Sequence, residues 1–379
     1  MSATVDRTGY LLDFASSLYL GLQHSSRCLP SWRELTTGKP AALFQSPEAL
    51  EVSRRFALLQ GCESGWVAPS TLHLFWDLFG FFARRPLTIY VDAEIYPIAL
   101  WGVERAQAQG ACVHRFAHQD PDELRRLLRE KVRSNCLQIV VTDGFCPDCG
   151  RIAPLSEFLA AVKSFDGYLV VDDTQALGIF GKRVSLNVPY GSGGGGLFPW
   201  HRLEDANALA VSSIAKAFGV PIAALVGSED LVRRFMDMSD TFIHCSPTSA
   251  AVLSAARHAL NINSCAGDEL RRRLAQRIRT FRSRLLEFDL SCVGGLFPVQ
   301  TLKVKDCVAR HLHLKLQQVG LQSVLRRTHS QSTKLSFIIT ARHRTCDIDQ
   351  AASLIMRALR SRTCANELEV NNATGISAW

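Results

Sequence analysis

Between residues 87 and 173 short apolar runs alternate with helical ones, and few folds accept that alternation. LTIYVD (87–92), CVHRF (112–116), CLQIVVTDG (136–144) and YLVVDD (168–173) read as strands. The stretches between them read as helices: IALWGVERAQAQG (98–110), DPDELRRLLREKV (120–132) and PLSEFLAAVKSFDG (154–167). The second of these has Asp120 as its cap and Pro121 just inside. Strands separated by helices of this length are joined by crossovers, so they lie parallel with helices over both faces. The predicted class is α/β, a mainly parallel sheet sandwiched by helices. Asp92, Asp143 and Asp172 all fall at strand C-termini, the edge where open parallel sheets bind ligands.

The flanks follow the same grammar. Residues 1–45 carry few periodic signals and read as an N-terminal arm. Ser46, Pro47 and Glu48 start a helix over 46–60; a loop follows over 61–70, then an apolar helix over 71–83. FGVPIAALVGS (218–228) fits a strand returning to the sheet, and Ser228 caps the next helix. From about 250 a long helical stretch begins. Within it Leu274, Ile278 and Phe281 recur at helical spacing, which leaves an Arg-rich wet face over 271–284. Runs at 299–304, 308–320, 334–340 and 347–362 complete a smaller α+β domain, and the last dozen residues read as a frayed tail. The expected division is an arm over 1–45, a large domain over 46–250 and a small domain over 251–379.

Composition narrows the class. The 379 residues are 47% hydrophobic and 21% charged, typical of a globular protein. No apolar stretch reaches the ~18 residues of a membrane span, and the N-terminus lacks a secretory pattern. A cytoplasmic protein is expected. The net charge of +8 fits a solvated basic surface or a funnel for an anionic cofactor or substrate; without interleaved aromatics it argues against nucleic acid. Twelve cysteines scattered over this length read as reduced thiols. Cys146 and Cys149 have CxxC spacing, but no second pair completes a zinc site; the expectation is a plain turn and no metal. The run GSGGGG (191–196) reads as a flexible surface insertion or a loop that closes over a ligand. It lacks the following Lys and Ser/Thr of a nucleotide-phosphate loop.

Chemistry concentrates at two places. YLVVDD delivers Asp172 to the end of a buried strand, and the small-residue segment SSIAKAFG (212–219) delivers Lys216. Pyridoxal phosphate (PLP) needs this pair: a lysine amine for a Schiff base with its aldehyde, and a carboxylate facing its ring nitrogen.

Six segments in order carry a family resemblance: YLGL (19–22), SGWVAP (64–69), TDGFCPDCGRIAPL (142–155), VVDDTQALGIFG (170–181), SSIAKAFG (212–219) and TARHRTCDID (340–349). Along most of its length the chain resembles the α-oxoamine synthase group of fold-type-I PLP-dependent enzymes, as a divergent member. The resemblance implies that Lys216 is the Schiff-base lysine and Asp172 the partner of the ring nitrogen. It places the cofactor phosphate against Ser213 and the backbone of Gly65 and Trp66. Three positions depart from the group's pattern. Tyr96 stands where a histidine covers the ring, Gln175 where a histidine meets the phenolic oxygen, and Ser336 or a near neighbour where an arginine holds a substrate carboxylate. Lys334, Arg326 and Arg327 are candidate substitutes for that arginine.

The resemblance further implies a homodimer, with FIHCSPTS (242–249) similar to a stretch that reaches the neighbouring subunit's phosphate. The expected reaction joins an amino acid or amine to an acyl group from acyl-CoA or an acyl carrier protein. Two alternatives stay open: an aminotransferase, and a non-catalytic partner subunit of the same fold.

Overall fold

The computed structural model describes residues 11–133, 135–327 and 332–360. The expected helical residues 361–362 and the tail lie outside them. The described residues form two compact units: a larger one within 20–146 and 151–271, and a smaller one within 11–19, 147–150 and 272–360.

The first strand, β1 (Leu12–Asp13), belongs to the smaller unit. The larger unit then runs α1 (Pro47–Gln60), β2 (Ser64–Ala68), α2 (Thr71–Phe82), β3 (Leu87–Asp92), α3 (Pro97–Ala108), β4 (Cys112–Phe116), α4 (Pro121–Lys131) and β5 (Leu137–Asp143). A small hairpin, β6 (Phe145–Cys146) and β7 (Arg151–Ile152), leads to α5 (Leu155–Lys163), β8 (Tyr168–Asp172), α6 (Leu197–His201), β9 (Ala208–Ser213), β10 (Ala223–Gly227), α7 (Glu229–Met236) and α8 (Asp240–His244). Helix α9 (Ala250–Leu286) crosses the unit boundary.

Local chemistry explains the helix starts. The Ser46 hydroxyl accepts from the Ala49 N–H at 3.1 Å, with Pro47 in the first turn and Gly61 closing the helix. Asp120 accepts from the N–H groups of Asp122 and Glu123 at 2.9 and 3.0 Å. Ser228 precedes α7 without capping it, because its hydroxyl donates to the Ala206 carbonyl instead.

The seven-stranded sheet has the order β2-β10-β9-β8-β5-β3-β4. Pairs β4/β3, β3/β5, β5/β8 and β8/β9 are parallel; β10 runs antiparallel to β9 and β2. All of β3 is buried, as suits a central strand covered on both faces. Phe75, Leu78, Phe79 and Phe82 of α2 join Ala99, Val103 and Ala106 of α3 in the core beneath one face.

Besides Ser228, three expectations change. The loop predicted over 61–70 contains β2, an edge strand. The glycine run is neither a surface insertion nor a lid: Gly191 and Gly194 to Gly196 are buried. A Cβ on Gly195 would stand 2.1 Å from the Leu59 carbonyl oxygen, so glycine serves close packing there. Third, the Arg-rich face of α9 is not wholly wet. Arg271 is 2% exposed and donates to the Gly178 carbonyl at 2.8 Å and to Asn263 Oδ1 at 2.9 Å. Leu274, Ile278 and Phe281 are buried, as their spacing predicts.

In the smaller unit β11 (Cys292–Val293), β12 (Val299–Leu302), β14 (Val324–Arg327) and β15 (Thr333–Ile338) form an antiparallel sheet in the order β11-β12-β15-β14. Strand β13 (Leu321–Gln322) pairs with β1. Helices α10 (Asp306–Gln318) and α11 (Thr345–Arg360) complete it. Among the described residues no helix is long and apolar enough to cross a membrane.

Candidate active site

Register builds the site. Strands β5 and β8 pair so that Asp143 lies opposite Asp172, and Asp172 in turn lies opposite Val211 on β9. Two carboxylates therefore share the C-terminal edge of the sheet. Thr174 ties the ends together: its N–H donates to Asp172 Oδ1 at 3.0 Å, and its hydroxyl accepts from the Ser213 N–H at 2.8 Å. Thr174 gave no sequence signal beyond its place after two aspartates. Beyond Ser213 the chain turns through Lys216, and the Ser213 hydroxyl accepts from the Ala215 N–H at 3.3 Å inside that turn. His24 Nε2 lies 2.7 Å from the Phe218 carbonyl oxygen and buttresses the same turn.

Lys216 is half-buried. Its amine stands 6.0 Å from the centre of the Tyr96 ring. Burial draws its pKa below the ordinary lysine value, against the opposing pull of Asp172 and then Asp143. Asp172 is 6% exposed, and burial raises its pKa, against hydrogen bonds from Thr174 and the charge of Lys216. Asp143 is raised well above the carboxylate range by burial first and by Asp172 second. Asp173 is fully buried and also raised well above that range, by burial. Its Oδ2 accepts from the Leu197 N–H at 3.0 Å, while Oδ1 has no partner among the described residues. Asp173 thus organises the turn into α6.

The structure brings Lys216, Asp172, Ser213 and Tyr96 to one edge, with Gln175 half-buried in the turn after β8. It does not bring Gly65 and Trp66 there. Ala223 of β10 pairs with both Ser213 and Ala68, whereas Gly65 pairs with Val226, which faces Ala210. Gly65 is therefore three strand positions, about 10 Å, from the edge that carries Ser213. A Cβ there would stand 2.9 Å from the Ser53 carbonyl oxygen, so this glycine serves packing. The helix start at that edge is Ser70–Thr71, where the Ser70 hydroxyl accepts from the His73 N–H. A cavity of about 460 Å³ lies along Trp66, Phe242, Trp32 and Phe44; Lys216 is not among its lining residues.

In the smaller unit Ser336 is 1% exposed and hydrogen-bonded to Thr301 Oγ1 at 2.7 Å. Its hydroxyl is committed within the sheet and offers no grip for a carboxylate. Arg326 pairs with Asp148, Lys334 is half-buried and Arg327 exposed.

The donor set fits PLP: a lysine amine of lowered pKa, a buried carboxylate in electrostatic reach of it, and an aromatic face beside it. The comparisons agree. The chain is 28% identical over 355 residues to 8-amino-7-oxononanoate synthase of Klebsiella pneumoniae (strain 342), covering 89% of this chain and 87% of that protein. It is 28% identical over 358 residues to the same-named protein of Citrobacter koseri, covering 91% and 88%. Among solved structures it superposes on a Sphingomonas wittichii serine palmitoyltransferase with a TM-score of 0.79 at 19% identity, covering 91% and 86%. It superposes on 8-amino-7-oxononanoate synthase of Francisella tularensis with a TM-score of 0.71 at 21% identity, covering 92% and 98%. Those likenesses establish the fold. The profile of Aminotransferase class I and II matches residues 12–347. The chain belongs to that family, as a PLP-dependent transferase of α-oxoamine synthase-like character.

Proposed function

We propose that the protein transfers an acyl group from an acyl thioester to the α-carbon of an amino acid or amine, that carbon giving up a proton or CO2 and the thioester releasing its thiol, with Lys216 and Asp172 as the catalytic pair. The observation that carries this is the Lys216 amine at the sheet edge, in the field of Asp172 and 6.0 Å from the Tyr96 ring. PLP, when bound, supplies an electron sink for charge developing at the substrate's α-carbon. Lys216 would hold the cofactor and, once released, would move a proton through Nζ; burial, which draws its pKa below the ordinary lysine value, favours the neutral amine that this needs. Asp172 would face the ring nitrogen and favour its protonated form. Tyr96 would lie against the ring and Gln175 would donate a hydrogen bond to the cofactor. Ser213 and the first turn of α2 at Ser70–Thr71 would receive the phosphate, in place of Gly65 and Trp66.

The net charge of +8 supports attraction of an anionic donor such as acyl-CoA or an acyl carrier protein. We extend the reading to a homodimer in the cytoplasm, on the likeness to its relatives. The retained Lys216 argues against a non-catalytic partner subunit.

The experiment screens amino acids for a change in the bound cofactor's spectrum, then offers each hit acyl-CoAs and keto acids. CoA release supports acyl transfer. Keto-acid-dependent amine exchange without CoA release overturns it in favour of an aminotransferase, the second reading that the family match favours.

A further inference from the structure

We propose that Asp143 is a positioning residue of the cofactor pocket, anchoring Tyr96 by its backbone while remaining a neutral acid beside Asp172. The inference rests on the reading that PLP binds at Lys216, and deepens it.

The turn from β3 to α3 is pinned one N–H at a time. Ala93 donates to the Phe116 carbonyl at 3.0 Å, Glu94 to Asp92 Oδ1 at 3.0 Å and Ile95 to the Asp92 carbonyl at 3.2 Å. The last N–H before α3 is that of Tyr96, and it donates to Asp143 Oδ1 at 3.3 Å, across to the neighbouring strand. Tyr96 has no side-chain capping bond, and it is 53% exposed. Packing therefore holds only part of the ring that faces Lys216, and the backbone anchor carries more of its placement.

Charge sets the state of that anchor. Asp143 faces Asp172 on β8, Asp92 on β3 and Lys216 in the turn after β9. Asp92 already has partners: His118 Nδ1 at 2.7 Å, the Gln119 N–H at 3.0 Å and Thr142 Oγ1 at 3.3 Å. Asp143 and Asp172 then share one cation, Lys216. Two carboxylates in register on adjacent strands, Asp172 buried and Asp143 half-buried, do not both ionise. Thr174 stabilises charge on Asp172 through its hydroxyl and its N–H, whereas Asp143 has the single Tyr96 N–H, so Asp143 keeps the proton. A neutral acid still accepts from the Tyr96 N–H through its carbonyl oxygen, and the ring nitrogen of the cofactor then meets one negative charge.

The test compares wild type, Asp143→Asn, Asp143→Ala, Tyr96→Ala and the Tyr96→Ala/Asp143→Ala double variant. Far-UV circular dichroism checks folding. The readouts are the PLP dissociation constant and the pH midpoint of the bound cofactor's visible band. Asn is neutral and keeps the acceptor, so D143N should bind within about twofold of wild type with an unmoved midpoint. D143A loses the anchor and should bind roughly tenfold more weakly, the scale of one lost hydrogen bond to a partly buried group. With the ring absent, Asp143→Ala should cost no further affinity. Wild-type affinity in D143A overturns the positioning role. A midpoint moved by about one unit in D143N, or binding as weak as that of D143A, overturns the neutral state. If D143A does not fold, D143N and Y96A decide, because an ionised Asp143 still moves the midpoint in D143N. A wild-type protein whose Lys216 carries no PLP after borohydride reduction overturns the parent reading as well; a labelled wild type confines any failure to Asp143.

Discussion

Lys216 and Asp173 show how the same sheet edge treats two charges differently. Lys216 has carboxylates for company, yet burial outweighs them and its amine loses its proton below the ordinary lysine value. The rate of PLP uptake by apo-protein should therefore rise with pH and level off below about 10.4; stopped-flow absorbance that keeps climbing past that point would contradict it. Lys216→Ala should lose both the visible band and the borohydride-stable label. Asp173 is the opposite case: a buried carboxyl one residue from Asp172, with one oxygen on the Leu197 N–H and the other without a partner among the described residues. Its folded pKa lies above its unfolded one, so the folded state binds more protons in that window. The stability of the apo-protein should then fall as pH rises from about 4 through the raised value. Asp173→Asn keeps the neutral form's shape and should flatten part of that slope in urea titrations. Asp173→Ala should cost about 1–3 kcal/mol by stranding the Leu197 N–H.

The glycine run and α9 form one device. Asn263 Nδ2 donates to the Gly193 carbonyl at 2.9 Å, and the Gly193 N–H donates to Asp268 Oδ1 at 2.9 Å. Arg271, one turn further along α9, reaches the Gly178 carbonyl and Asp268. The helix thereby satisfies backbone groups that a glycine-rich segment cannot satisfy for itself. Gly195→Ala should destabilise by about 1–3 kcal/mol, because the new methyl meets the Leu59 carbonyl and Pro199. Arg271→Ala should cost about 1–3 kcal/mol by stranding the Gly178 carbonyl and Asn263 Oδ1, since the Asp268 it leaves is 58% exposed. Both are read from denaturation midpoints, and an unchanged midpoint in G195A would mean the run yields more than its packing implies.

At the level of the molecule, PLP should behave as a folding ligand. Binding the native state alone adds about 2.7 kcal/mol at a hundredfold excess over Kd. The melting temperature should climb with PLP concentration in wild type and much less in Lys216→Ala. The α/β class, the helix starts at Ser46 and Asp120 and the central strands were legible in the chain, because burial on both faces and capping chemistry are written over a few consecutive residues. That Lys216 and Asp172 reach one edge of the sheet was legible for the same reason: each closes or follows a strand whose end can be read locally. Register is not local. The antiparallel return of β10 moved Gly65 and Trp66 off the site's edge and put Ser70–Thr71 there. The pairing of β5 with β8 set Asp143 beside Asp172, and the packing of α9 turned a floppy-looking glycine run into buried structure. Sequence periodicity determined which segments are strands and helices and which strand ends carry reactive groups. Tertiary structure alone decided which of those ends meet, since pairing depends on partners far apart in the chain.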